Sequence, residues 1–404
     1  MQNKSFNHNK FVILKKFLWT ALFIAIYIIG THIPVIAHVQ DKVTLSGHSL
    51  NSFWDLTDGG IRGNLFSIGI TPMMSGSLIW NAVTVSNIID ARKLTKTMND
   101  RIQALLIFII AFIQALSMTL SWFGLSNIYQ VTNWIEFSSV VLFLMAGAFF
   151  LVFLSYQNVE LGVGGAFLFM LIGMLINSYN KLIHFFTGSK QVSLILLAII
   201  ILYIIIILYS SVIMYKAQRE IVVHRIALSQ EFFGKAYIPI KLNSSGGMAF
   251  MYVMSFQTLL QYATIFFVPN GVSSQLFSLQ SPSGVFIYCC LLGGLSLGLC
   301  FVNVNPLDMA KELRNAGDYI PNVYPGKPTQ AYLKKVIFEL GFVGSIYTVI
   351  VAGLPLVVGL KLPQIFDLMM IPGTMMMLSG MTLAVSEQVF VWRIGQQYQS
   401  LFNE

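Results

Sequence analysis

The chain has 404 residues, of which 56% are hydrophobic and only 10% are charged, where a soluble domain carries roughly 25% charged residues. That balance cannot cover a water-facing surface, so it excludes a soluble globular protein and puts lipid around most of the chain. The formal net charge of +8 then matters through where the Lys and Arg fall relative to the bilayer.

A bilayer core about 30 Å thick needs about 20 apolar residues per helical span. Apolar runs, read against the residues that break them, predict ten spans near 17–37, 68–89, 102–123, 134–155, 162–180, 191–215, 248–268, 284–304, 336–358 and 365–390. The basic start precedes an apolar run from Phe17 to about Ala37 that is long for a signal-peptide core. No small-x-small cleavage site follows, so the run is expected to remain as the first span.

Between spans one and two, the segment opening at Asn51 or Ser52 reads as a short helix broken by Gly59, Gly60 and Gly63. Asp55, Asp58 and Arg62 make it too polar for lipid. Two readings stand: an outer loop, or a half-helix buried in protein or a watery cavity. Pro72, with Gly69 and Gly76 nearby, removes a hydrogen bond from span two and loosens that turn. Further along, Cys289, Cys290 and Cys300 share one apolar run and read as small packing residues. The chain holds 19 Met, densest at 375–381; taken alone that cluster reads as lipid-facing or packing filler.

Ten spans put both termini on one side. With the N-terminus inside, 19 of the 24 Lys and Arg fall on inner segments and only Lys42, Arg62, Lys181, Lys190 and Lys361 outside. The positive-inside rule therefore predicts both ends in the cytoplasm. Two inner loops, about 216–247 and 305–335, are the longest on that side and mix basic residues with Pro, Gly and aromatics. Such charge either fixes orientation or docks a cytosolic partner.

No GxxxxGK[ST], HExxH, CxxC or nucleophile-elbow pattern occurs, so no catalytic residue, cofactor or metal site is expected. The acidic residues Asp90, Glu136, Glu160, Asp308, Glu339, Asp367 and Glu387 sit near span ends or in loops. Ion-coupled transporters usually need an ionisable group at mid-membrane. A secondary transporter for a small molecule is thus the weaker alternative to a conduit whose motor lies elsewhere. A conduit still needs a seal; apolar side chains supply one by dewetting, and flexible Met can deform around varied cargo.

SIGITPMMSGSLIWN (67–81) resembles the second-helix signature of the SecY family of protein-translocation channels. YKAQREIVVHRIAL (215–228) with YIPIKLNSSGG (237–247) resembles the loop between helices six and seven. Asn305-Pro306 with DYIPNVYPGKPTQAYL (318–333) resembles the loop between helices eight and nine. The matches come in family order within the ten-span frame.

The resemblance implies an all-α polytopic membrane protein with ten transmembrane helices in two pseudo-symmetric inverted five-helix halves, 1–180 and 191–404, hinged at 181–190. The segment at about 49–66 would be a plug. A narrow pore ring would comprise Ile70, Met74, Phe167, Leu171, Met251 and Leu378; each is plain core if the alignment slips. A lateral gate would open to lipid between helices two to three and seven to eight, near Asn81 and Gln114, which serve either as structural glue or as the gate's threshold. Lys216, Arg219, Arg225, Lys235, Lys241, Lys311, Arg314, Tyr324 and Lys327 would form the motor-binding loops.

Implied partners are a SecA-type ATPase, a small SecE-like membrane subunit, accessory Sec proteins, a secretory polypeptide and the lipid bilayer, with no nucleic acid; the implied location is the bacterial cytoplasmic membrane. Departures are informative: Tyr324 stands where the family usually has Arg, Ala249 where helix seven often has Pro, and the C-terminal tail is short. These resemble the accessory SecY of certain Gram-positive bacteria, which exports serine-rich glycosylated adhesins.

Overall fold

The computed structural model describes residues 2–35, 63–85, 95–123, 134–166, 168–188, 194–225, 236–267, 279, 281–361 and 363–402. Among them every expected apolar run carries a helix. The N-terminal five are α1 (Gln2–Thr31), α2 (Thr71–Val85), α3 (Lys96–Trp122), α4 (Trp134–Leu161) and α5 (Leu168–Gly188). After α6 (Leu194–Lys216) come strands β1 (Gln218–Arg225) and β2 (Ala236–Lys241), then α7 (Gly246–Phe267) and α8 (Pro282–Asn303). A short helix α9 (Pro306–Ala316) and strand β3 (Asp318–Tyr319) precede α10 (Lys327–Thr348), a π-helical turn Val349–Gly353 and α11 (Leu354–Gly359). A 3-10 turn Pro363–Met370 leads into the last helix, α12 (Ile371–Phe402).

Length and apolarity alone mark six segments as able to cross a membrane: Leu14–Thr31, Lys96–Leu120, Trp134–Leu161, Pro282–Ala316, Lys327–Gly359 and Leu368–Trp392. Leu168–Asn180 and Ile201–Lys216 are shorter apolar helices. The two remaining helices, α2 and α7, bury polar side chains against other helices. Ser75 on α2 and Ser255, Gln257 and Gln261 on α7 are buried inside the protein. Helices that face other helices rather than lipid tolerate hydroxyls and amides that find partners there.

Two element boundaries differ from the apolar-run reading. The expected span 162–180 begins late, because Gly164 and Gly165 take φ values of 90° and 70° and reverse the chain before α5. It also ends late: α5 continues to Gly188, so most of the expected hinge 181–190 prolongs that helix, and 189–190 lie outside the described residues. Polar residues such as Lys181 end an apolar run without ending the helical hydrogen-bond ladder.

Pro355 accounts for the π turn. A proline has no N–H to give the carbonyl four residues back, and its ring crowds that carbonyl. The chain widens by one residue, and the Leu354 N–H donates to Val349 O, five residues earlier.

The strands form one three-stranded sheet in the order β2-β1-β3. β1 pairs antiparallel with β2, Ile221 opposite Ile238, and with β3, His224 opposite Tyr319. The ladder continues where the Leu242 N–H donates to Ala217 O at 2.8 Å. Counting in twos from that bonded pair, Pro239 falls at a position whose backbone faces away from β1. Its missing N–H therefore costs no ladder bond and blunts the free edge. Ile221, Val223 and Ile240 bury against Ala310 and Leu313 of α9 and Leu333, Val336 and Ile337 of α10. The two long loops are thus one folded unit.

Helix α9 is written in its ends. Asn305 caps it, accepting from Leu307 N at 3.1 Å and donating to Asp308 Oδ2 at 2.8 Å; Pro306 takes the first turn and Gly317 closes it in the left-handed region. The largest apolar core lies deeper, where α1, α2, α5, α7, α8, the π turn and α12 meet.

Candidate functional site

The central core joins the two halves and is rich in methionine. Met74, Met170, Met174, Met251, Met254, Met370, Met376 and Met377 are all buried in it. Spacings of three and four residues place Met170 with Met174, Ile70 with Met74, and Met251 with Met254 on single helix faces. Of the two readings of the cluster at 375–381, packing holds for Met376 and Met377, which are buried in the core.

Ile70, Met74 and Met251 are fully buried in this core, and Leu171 packs against it. Leu378 is half-buried on α12 beside Met376 and Met377, which supply that helix's buried contribution. Phe167 lies outside the described residues. Phe169, Met170, Met174 and Met254, which sequence reasoning left out, lie in the same core. For Met170, Met174 and Met254 the signal was the three-residue helical step from Phe167, Leu171 and Met251; Phe169 had none.

Of the expected plug segment 49–66, residues 49–62 lie outside the described residues. Its end is pinned. The Val35 N–H donates to Gly63 O at 2.8 Å, and the Leu65 N–H to Ile33 O at 3.0 Å. Phe66 stacks between Tyr27 and Phe150, with centroids at 6.0 and 6.1 Å, and lies directly against Gly30, where any Cβ would collide with its ring.

Beside the core runs a line of hydroxyls between α2 and α7. Ser75 Oγ and Ser255 Oγ lie 2.6 Å apart, and Ser255 Oγ donates to Thr71 O at 2.9 Å. Ser255 has one hydroxyl proton, so Ser75 is the donor between the two serines. Ser77 Oγ reaches the Tyr252 hydroxyl at 3.5 Å. Gln114 of α3 is wholly buried, its Oε1 at 3.1 Å from Thr71 Oγ1. Thr71 already donates to Ile68 O at 2.7 Å. Turning the Gln114 amide over lets Nε2 donate to Thr71 Oγ1, giving a partner to a nitrogen that otherwise has none among the described residues. Asn81 sits half-buried further along α2. Ser75, Thr71 and Ser255 were not foreseen, since a lone hydroxyl has no sequence signature.

The nominated loop residues divide. Lys216, Lys311, Arg314 and Lys327 are exposed, and Tyr324 is 83% exposed at the tip of its turn. Arg219 pairs with Glu339 of α10 at 3.7 Å. Lys241 is engaged within the chain: its Nζ donates to both carboxylate oxygens of Glu387 on α12, at 2.7 and 2.8 Å, and lies 4.6 Å from the centre of the Tyr215 ring. Arg225 ends β1, its side chain outside the described residues, as is all of Lys235.

The SecY family model matches residues 64–385. The accessory Sec system protein translocase subunit SecY2 of Leuconostoc gelidum subsp. gasicomitatum is 31% identical, with 100% of both chains covered. That of Streptococcus gordonii is 32% identical, covering 97% of this chain and 98% of the relative. A solved structure of a protein-conducting channel superposes with a TM-score of 0.68 at 16% identity, covering 95% of this chain and 93% of that one. Sec61 in the canine ribosome–channel complex gives a TM-score of 0.62 at 15% identity, with 95% and 93% covered. With a family model matched over more than half its length and full-length relatives above 30% identity, the chain belongs to the SecY family.

Proposed function

We infer that this chain is the central pore-forming subunit of a protein-export translocase of the accessory Sec type. It passes unfolded polypeptides, serine-rich glycosylated adhesins among them, across the bacterial cytoplasmic membrane. A cytosolic SecA-type ATPase supplies the energy from the sheet formed by the two long loops. A small SecE-like membrane subunit and accessory Sec proteins complete the assembly, and both termini face the cytoplasm, as the Lys and Arg distribution requires.

The observation that carries this reading is the methionine-rich apolar core shared by helices of both halves, next to a hydrogen-bonded line between α2 and α7. An apolar constriction excludes ions by dewetting, while flexible side chains re-pack around whatever passes. Ile70, Met74, Phe167, Leu171, Met251 and Leu378 form the ring. Parting α2 from α7 breaks the Ser75–Ser255 and Ser255–Thr71 bonds and opens the path sideways to lipid. Replacing Met251 by Asn tests the seal: the protein in vesicles should leak chloride several-fold faster, and an unchanged leak would remove Met251 from the ring.

A further inference from the structure

The reversal between α4 and α5 is held by side chains that take no part in the ring or in the α2–α7 line. Asn158, at 0% exposure, donates from Nδ2 to Val163 O at 3.1 Å and to Gly165 O at 2.7 Å. Two carbonyls at one end fix which way its amide points. From α1, Thr20 Oγ1 accepts the Val163 N–H at 2.8 Å and donates to Lys16 O at 3.0 Å. Gly162 lies under both: a Cβ there would meet Asn158 Oδ1, and Thr20 Oγ1 at 2.8 Å. Three helices, α1, α4 and α5, thus meet at the turn that follows Leu161.

The turn delivers α5 directly into the seal. Phe169 and Met170, then Leu171 and Met174, enter the central core within two helical turns of it. A slip of α5 by one residue moves its side chains about 1.5 Å along the axis and about 100° around it. That is enough to turn Met174 out of the central core and Leu171 away from it.

We propose that Asn158 and Thr20 are positioning residues for the closed pore: by clamping residues 162–165 they fix the height and rotation of α5 and so keep the resting channel ion-tight. This rests on the ring assignment above. Neither side chain meets the passing polypeptide; each acts through α5.

The test is chloride efflux from vesicles containing the full-length chain, run on six forms side by side. Thr20→Val keeps the volume and removes the hydroxyl, whereas Thr20→Ser keeps the hydroxyl. Asn158→Leu removes both donated bonds. Thr348→Val removes another buried hydroxyl, bonded to Gly344 O at 2.8 Å on α10, away from the turn. Met251→Asn opens the ring itself. The proposal expects several-fold faster efflux from Asn158→Leu and Thr20→Val, and wild-type efflux from Thr20→Ser and Thr348→Val. Should Asn158→Leu fail to accumulate, the two Thr20 variants decide. If Met251→Asn leaks while Thr20→Val stays tight, the clamp is overturned and the ring stands; leak from Thr348→Val equal to that of Thr20→Val also overturns it, as general loosening. If Met251→Asn does not leak, the ring assignment falls and the clamp with it.

Discussion

Ser75 and Ser255, 180 residues apart in the chain, share a hydrogen bond of 2.6 Å that joins α2 to α7, and Ser255 adds a second to the backbone of Thr71. These bonds close the line along which the two halves would part. Ser255→Ala removes both, at a net of about 1 kcal/mol each. The closed state should lose roughly tenfold or more of its advantage, seen as faster export of precursors whose signal segments are weakly apolar. Export of such precursors at the wild-type rate would detach this pair from gating.

Lys241 and Glu387 should show a charge dependence. Their pair is partly exposed, with side-chain exposures of 31% and 56%, so its worth is in the range of about 0–1 kcal/mol and falls as salt rises. Lys241→Glu should lower the unfolding temperature of the detergent-solubilised protein more at low salt than at high salt. The exchanged pair, Lys241→Glu with Glu387→Lys, should recover most of the loss.

Tyr324 exposes 83% of its surface at the tip of the second loop. Tyr324→Ala should leave resting chloride leak and unfolding temperature at wild-type values. In vesicles supplied with a SecA-type ATPase, it should reduce motor-driven translocation several-fold. A wild-type translocation rate would remove the tip from motor contact.

Gly30 has no room for a side chain beneath Phe66. Gly30→Ala should overpack this site and cost about 1–3 kcal/mol, lowering the unfolding temperature. Phe66→Leu in the same chain should recover part of it, so the double variant loses less than the sum of the singles.

Much of the scaffold was legible because lipid leaves few choices. A span such as Trp134–Leu161 must be long, apolar and helical, so its apolar run announces it. The helix α9 was legible in the same way, through Asn305, Pro306 and Gly317 at its ends. What resisted reading depends on distant partners. The pairing of His224 with Tyr319, which fuses two loops into one sheet, links segments almost a hundred residues apart. Lys241 looked like any loop cation until Glu387 and Tyr215 lay beside it. The late start of α5 rests on Asn158 holding Gly165, an arrangement that apolar periodicity does not register.

If the chain is an export channel, an unfolded polypeptide passes between apolar side chains of both halves. The direct measurement is photocrosslinking from Met251 and Met74 to a secretory polypeptide stalled in transit, with Phe338, exposed on the outside of α10, as the comparison site. The precursors are an adhesin and a housekeeping secretory protein. Met251 and Met74 should crosslink to the stalled adhesin and little to the housekeeping protein, and Phe338 to neither. Crosslinks from Phe338 alone, or none from the two buried methionines, would contradict that path.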